Sequence, residues 1–245
     1  MKKKLKFYEK SHLYKIGNTR LTSVTTFVSK FFSKFNARII ARKLAKFPVN
    51  KKQKHGVRWF LKDWKERAQF GTNVHKLVEW KILDEEPEDS YSLFTELEMD
   101  YARQGELAYH KIMRSLGEPV SYTELKVYNE ELLLAGTIDL MVSHNHPDDT
   151  NNERVISLYD WKTNKKLNKK GYNNKKGILP PLLEVDDCHI TKYGLQLSTY
   201  AYILERQGYK IDQLYIVHLK DDKYELIEVG YDRELIKKMI KEQEE

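Results

Sequence analysis

Two neighbouring stretches decide the fold: residues 131–142, Glu-Leu-Leu-Leu-Ala-Gly-Thr-Ile-Asp-Leu-Met-Val, and residues 154–163, Arg-Val-Ile-Ser-Leu-Tyr-Asp-Trp-Lys-Thr. Both are rich in β-branched and aromatic side chains, and so is the preceding run Tyr122–Tyr128. Such runs read as strands. Asn129-Glu130 and the polar stretch His144–Glu153 separate them, so three consecutive antiparallel strands are expected. Residues two apart on a strand share a face. Asp160 and Lys162 therefore lie on one side, with Tyr159 and Trp161 on the other. If the strands pair, Asp139 comes to lie beside Asp160.

Working outward, the N-terminal side changes period. Residues 5–21 alternate weakly around Gly17-Asn18, a turn signal that predicts a short hairpin. Thr22 or Ser23 would cap a helix carrying Val24, Phe27, Val28 and Phe31. A further helix spans Val57 to about Arg67. Gly71-Thr72 is expected to break it, with Thr72 capping a new helix through Val74, His75, Leu77, Val78 and Trp80. An acidic loop with Pro87 follows. A longer helix is predicted from about Ser92 to Leu116, stopped by Gly117 and Pro119. On the C-terminal side come a Lys/Asn/Gly loop from Lys165 to Lys176 and a helix over 192–207, with Leu197, Ala201 and Leu204 on one stripe. Gly208 ends that helix. Strands Ile211–Leu219 and Tyr224–Val229 and a charged helix over 232–245 complete the chain. The order implies an α+β (mixed α/β) fold, one sheet flanked by helices. It reads as a single domain over 1–245: a mainly helical part (1–118), a core of sheet and helix (119–230) and a terminal helix (231–245).

The 245 residues, 40% of them hydrophobic, suffice for one substantial core, and 12% aromatic content argues against disorder. No apolar run approaches the ~20 residues of a membrane span. Met1-Lys2-Lys3-Lys4 is followed by no apolar segment, so no secretory signal is expected. Cys188 is the single cysteine. An intrachain disulfide, a zinc ribbon and a cysteine-bound iron–sulfur cluster are thereby excluded, and a reducing intracellular setting is the natural expectation. The formal charge of +7 favours anionic partners, nucleic acid foremost.

Asp139, Asp160 and Lys162 would converge at one edge of the sheet. Hard carboxylate oxygens hold Mg²⁺, which binds phosphate oxygens and lowers the pKa of a water. A lysine beside it orients the attacking water or stabilises the anionic transition state. Gly136 permits close backbone approach next to the first aspartate. The bland alternative is a hydrogen-bonded strand aspartate followed by a surface Asp–Lys pair.

The ordered set His75, Glu124, Gly136-Thr137-Ile138-Asp139, Asp160-Trp161-Lys162-Thr163 and Gln196…Tyr200 resembles the RecB-type branch of the PD-(D/E)XK nucleases. Within that branch it is most similar to the mitochondrial genome maintenance exonuclease group and its phage relatives. Residues 21–26, Leu-Thr-Ser-Val-Thr-Thr, resemble that group's early Pro-Ser-Val-Thr signature, with Thr22 in place of the proline. The resemblance covers roughly residues 12–220. It implies a restriction-endonuclease-like core in which Asp139 and Asp160 are metal ligands and Lys162 is the catalytic lysine. His75 would join the metal shell, and Glu124 would support it. Gln196 and Tyr200, one helical turn apart, would contact the substrate or brace Lys162, unless they are only a polar stripe beside the core. The implied activity is Mg²⁺-dependent DNA hydrolysis, Mn²⁺ substituting. It would act exonucleolytically on single-stranded ends, leave 5′-phosphate and 3′-hydroxyl products, and serve replication, recombination or repair in a bacterial or phage-infected cytoplasm. Thr163, Lys165, Lys166, Lys169 and Tyr172 follow the catalytic strand and suit contacts with single-stranded DNA, or form a solvated loop. Arg38, Arg42, Lys43 and Lys46 are weaker candidates for backbone contacts.

Two rival readings stand beside this one. His144, His146 and Asp148 have the H-x-H-x-D spacing of metallo-β-lactamase-type hydrolases. That pattern calls for histidine where Asp149 stands, and Pro147 with its polar neighbours suits a hairpin turn. Alternatively the chain is a nucleic-acid-binding module without turnover.

Overall fold

The apolar runs that decide the fold form the centre of one mixed sheet in a computed structural model, which describes residues 5–8, 13–47, 55–146 and 153–244. The strands are β1 (Leu5–Tyr8), β2 (Leu13–Ile16), β3 (Thr19–Ser23), β4 (Gly117–Asn129), β5 (Leu134–Asn145), β6 (Arg154–Lys162), β7 (Ile211–Leu219) and β8 (Tyr224–Val229). The helices are α1 (Val24–Ser29), α2 (Ala37–Lys46), α3 (Val57–Leu83), the single turn α4 (Ser90–Leu93), α5 (Glu96–Ser115), α6 (His189–Glu205) and α7 (Arg233–Glu244). Strand order is β1-β2-β3-β5-β6-β7-β8, with β4 paired to β5. The expected meander is present: β4–β5 and β5–β6 are antiparallel, and β6–β7 is parallel.

Helices cover both faces. On one, α1, α6 and α7 bury Phe27, Leu197, Ile203 and Ile236 against Met141, Leu158 and Ile216. On the other, α3 and α5 bury Leu77, Val78 and Ile112 against Leu140, Tyr159, Trp161 and Val217. Tyr159 and Trp161 thus face away from the α6 layer, as strand alternation requires. Among the described residues no helix is long and apolar enough to cross a membrane.

The sheet forks at β5. β4 runs along one edge of β5 for its whole length. The other edge is shared. β3 pairs in parallel with Leu134 and Ala135, whereas β6 pairs only with Leu140 to Asn145. Residues 136–139, the Gly-Thr-Ile-Asp segment, lie in the gap between them.

Helix starts follow local chemistry. The Ser23 side chain caps α1 by accepting the Thr26 N–H. Thr95 and Glu98 form a reciprocal capping box at α5, so that helix starts at Glu96 rather than near Ser92. Beyond α5 the chain extends at once, and β4 starts at Gly117, five residues before the expected Tyr122. One expectation fails outright: Gly71-Thr72 does not divide a helix, because α3 is continuous over 27 residues. The Thr72 hydroxyl donates back to the Ala68 carbonyl (3.2 Å) instead of capping a new helix. A helical glycine costs about 1 kcal/mol. The buried Val74, Leu77 and Val78 outweigh that cost, and Gly71 sits where the helix crosses Thr163, whose Oγ1 would lie 3.3 Å from an added Cβ.

Candidate metal and catalytic site at the sheet fork

The fork leaves backbone donors without ladder partners, and side chains replace them. The Trp161 N–H, just beyond the last β5–β6 pair, donates to Asp139 Oδ2 at 2.8 Å. Asp139 therefore bridges the two strands where the ladder stops. On the opposite edge of β5 the register places Glu124 across from Asp139, between the pairs Thr123–Leu140 and Leu125–Ile138. Glu124 has φ 46°, a left-handed conformation rare for a non-glycine residue inside a strand. Such strain persists only where its surroundings enforce it, and it concentrates at functional sites.

Both helical layers reach the gap. From one face, α3 brings His75, whose Nδ1 lies 3.5 Å from Asp139 Oδ2. From the other, α6 brings Gln196, which donates to Asp160 Oδ1 at 3.1 Å. Tyr200, one turn further along α6, fills the space over Gly136: an added Cβ there would sit 2.5 Å from the Tyr200 ring. Gly136 thus permits close approach, and what approaches is an aromatic ring.

The donor atoms of His75, Glu124 and Asp139 lie within 4.8 Å of one another, a spacing one cation can bridge. Asp160 stands apart from this trio. Its Oδ2 is buried without a directed hydrogen bond and meets the Lys162 ammonium in an ion pair. Lys162 also lies 4.6 Å over the Tyr193 ring, a cation–π contact. The Tyr193 hydroxyl donates to Asn164 Oδ1 (3.0 Å), and the Asn164 carbonyl meets the His218 ring. The amine is therefore seated on a ring whose position is fixed by the loop that follows it. Tyr193 was not foreseen from the sequence, although it lies one turn before Gln196 on the same helix.

The electrostatics describe a site overloaded with negative charge. Burial, reinforced by the Asp139 charge, pushes the Glu124 carboxyl up to about 7. Burial likewise raises Asp160 to about 6, against the pull of Lys162. Burial also opposes ionisation of Asp139, but His75, Lys162 and the Trp161 N–H outweigh it and hold that carboxyl below its usual range. Burial lowers His75, yet Asp139 more than compensates and the ring sits above its ordinary value. Lys162 behaves in the same way: Asp160 and Asp139 overcome burial and keep it protonated. A divalent cation would relieve the acids. One imidazole and two carboxylates form a donor set suited to Mn²⁺ as well as Mg²⁺.

Thr163 and Lys165 line a groove beside this site. Lys165, Lys166 and Lys169 face solvent, and Tyr172 is 76% exposed. Their loop is anchored rather than free: the Asn168 N–H donates to His189 (3.2 Å), and the Gly171 N–H to Asp186 (3.2 Å). Arg38, Arg42, Lys43 and Lys46 are solvent-facing on α2. Among the described residues the rival histidine motif contributes to no candidate metal-ligand group. His144 is fully buried, bonded to Ser157 at 2.9 Å and 3.4 Å from Asp212. Asp148 lies outside the described residues. Compared with known proteins, the chain matches no family model, and no curated protein matches it.

Proposed function

We propose that the chain is a divalent-cation-dependent nuclease of the PD-(D/E)XK type, with a restriction-endonuclease-like core. Its substrate would be DNA with single-stranded ends. The observation that carries this reading is the convergence at the fork of a three-residue cation group with a buried Asp–Lys pair. His75, Glu124 and Asp139 would hold the cation, with Mg²⁺ natural and Mn²⁺ a substitute. When bound, it would supply positive charge to phosphate oxygens and acidify water.

The protein's own groups do the rest. Lys162, kept charged by Asp160 and Asp139, would stabilise the negative charge that builds on the phosphoryl oxygens and orient the attacking water. Gln196 holds Asp160, and Tyr193 seats the amine, so its position is set before substrate arrives. Asp160, held by Lys162 and Gln196, would lie beside the cation and could add a fourth protein ligand by rotating toward it.

The test is incubation with end-labelled single-stranded DNA in Mg²⁺, in Mn²⁺ and in chelator. Shortening of the strand with either cation and none in chelator supports the reading. Binding without cleavage under every condition would leave a nucleic-acid-binding module instead.

A further inference from the structure

One row of side chains on α3 links the cation group to a second feature. Asp63, Arg67, Gly71 and His75 recur every four residues along a row that winds slowly around the helix. His75 is at the cation group, and Gly71 abuts Thr163, the residue after Lys162. One to two turns earlier the same row helps wall a groove of about 430 Å³, closed on its far side by Leu97 and Tyr101 of α5. Asn164 and the exposed Lys165 also line it. Along the helix axis the groove begins about 7–12 Å from His75, a span of a few nucleotides.

The lining chemistry is that of a base site. Phe70 and Tyr101 meet edge-to-face at 5.0 Å and supply aromatic surface. Asp63 fixes the Arg67 guanidinium through two hydrogen bonds (2.8 and 3.1 Å), and a guanidinium plane held flat is itself a stacking platform. Asp63 is engaged by Arg67 and Glu66 lies 3.5 Å from Lys62, so these pairs leave little net charge to draw a phosphate into the groove. Lys165, exposed and without an ion pair among the described residues, would attract one from the solvent side. A flat heteroaromatic inside with its phosphate outside fits both facts. The groove's size lies in the range of small-ligand clefts, about 300–1,000 Å³.

We infer that this groove takes an unstacked nucleobase of the strand that enters the Lys162 site. The inference rests on the nuclease reading and deepens it. A base can enter only after leaving its stack, so the groove would select single-stranded over duplex ends.

The test uses a dye-labelled single-stranded oligonucleotide in chelator, so that binding is measured without cleavage. An abasic residue is walked along it. At one position near the cleaved end, the abasic substitution should weaken binding by about 5–100-fold, the effect of losing a stacked base. 2-Aminopurine at that position should be quenched on binding. Leu97→Trp, at a residue 49% exposed, fills the groove without disturbing the core, and Tyr101→Leu removes a ring. Both variants should lose the abasic sensitivity and the quenching. If wild-type affinity is the same with an abasic residue at every position, or if Leu97→Trp retains full sensitivity, the base site is refuted. Persisting cation-dependent cleavage would then show that the nuclease reading survives it. Absence of both binding and cleavage would overturn the two together.

Discussion

The two ends of the β5–β6 pair differ sharply in how they treat buried polar groups. At the paired end, His144 is enclosed, and its ring nitrogens meet Ser157 at 2.9 Å and the Asn145 carbonyl at 3.1 Å. Ser157 also donates to Asp212 at 3.3 Å. Each of these buried polar atoms has a partner within hydrogen-bonding distance, as burial normally demands. At the forked end three carboxylates gather around His75 and Lys162; two are pushed toward neutrality and the third, Asp139, is held ionised. One end is a finished hydrogen-bond network. The other crowds like charges that protons partly offset and a cation would offset further. The place of the candidate site thus follows from where the ladder opens, because an open ladder lets groups from both helical layers meet.

The largest effect should come from the forked end. Lys162→Ala is expected to lower cleavage by at least about 100-fold, the effect of losing one aimed electrostatic donor. The variant should stay folded, with a lowered melting temperature because Asp160 loses its buried partner, and should still bind oligonucleotide. Near-wild-type cleavage by this variant would break the comparison. Next, Glu124→Gln or His75→Ala should weaken Mn²⁺ binding by about 10–100-fold or more, as measured by calorimetry. His144→Leu at the paired end should leave Mn²⁺ affinity unchanged, while costing about 1–3 kcal/mol of stability by removing the ring that meets Ser157 and the Asn145 carbonyl.

Acidity sharpens the contrast further. In cation-free protein the Glu124 carboxyl rises from the usual 4.5 to about 7, and Asp160 rises to about 6. Each holds its proton more tightly folded than unfolded, as does His75, so each favours the folded state at low pH. That advantage is complete below the unfolded pKa and disappears as pH rises through the folded value. The Asp139 shift runs oppositely but acts only below the ordinary carboxylate range. Denaturant melts in chelator should therefore show stability falling between pH 4.5 and 7, with Glu124 contributing up to about 3 kcal/mol. Saturating Mn²⁺ should reverse the trend, because the cation competes with those protons. A pH-independent Glu124→Gln difference would contradict the assignment of the shift. The smallest effect concerns packing: Gly136→Ala forces a methyl against the Tyr200 ring and should cost about 1–3 kcal/mol in thermal unfolding.

Much of this was legible in the chain itself. Strand periodicity places Asp160 and Lys162 on one face, and pairing of that strand with 131–142 brings Asp139 alongside. The Gly17-Asn18 turn and the Ser23 cap follow from local rules. What could not be read depends on contacts distant in sequence. The parallel pairing of β3 with Leu134 and Ala135 creates the fork, and no local pattern announces it. Glu124 looks like an ordinary strand residue until its left-handed backbone is seen opposite Asp139. Gly71 reads as a breaker because propensity is local, whereas the core beneath Val74 and Leu77 is not. Asp160 was expected beside Asp139 as a ligand; the structure pairs it with Lys162 and puts Glu124 in the ligand group.

The central claim is that the carboxylates at the fork hold a divalent cation beside Lys162. Anomalous diffraction from crystals soaked in Mn²⁺ tests it most directly. A single strong peak bounded by His75, Glu124 and Asp139, absent in Glu124→Gln, is the expected result. No peak there at saturating Mn²⁺, or a peak confined to surface acids, would contradict the account.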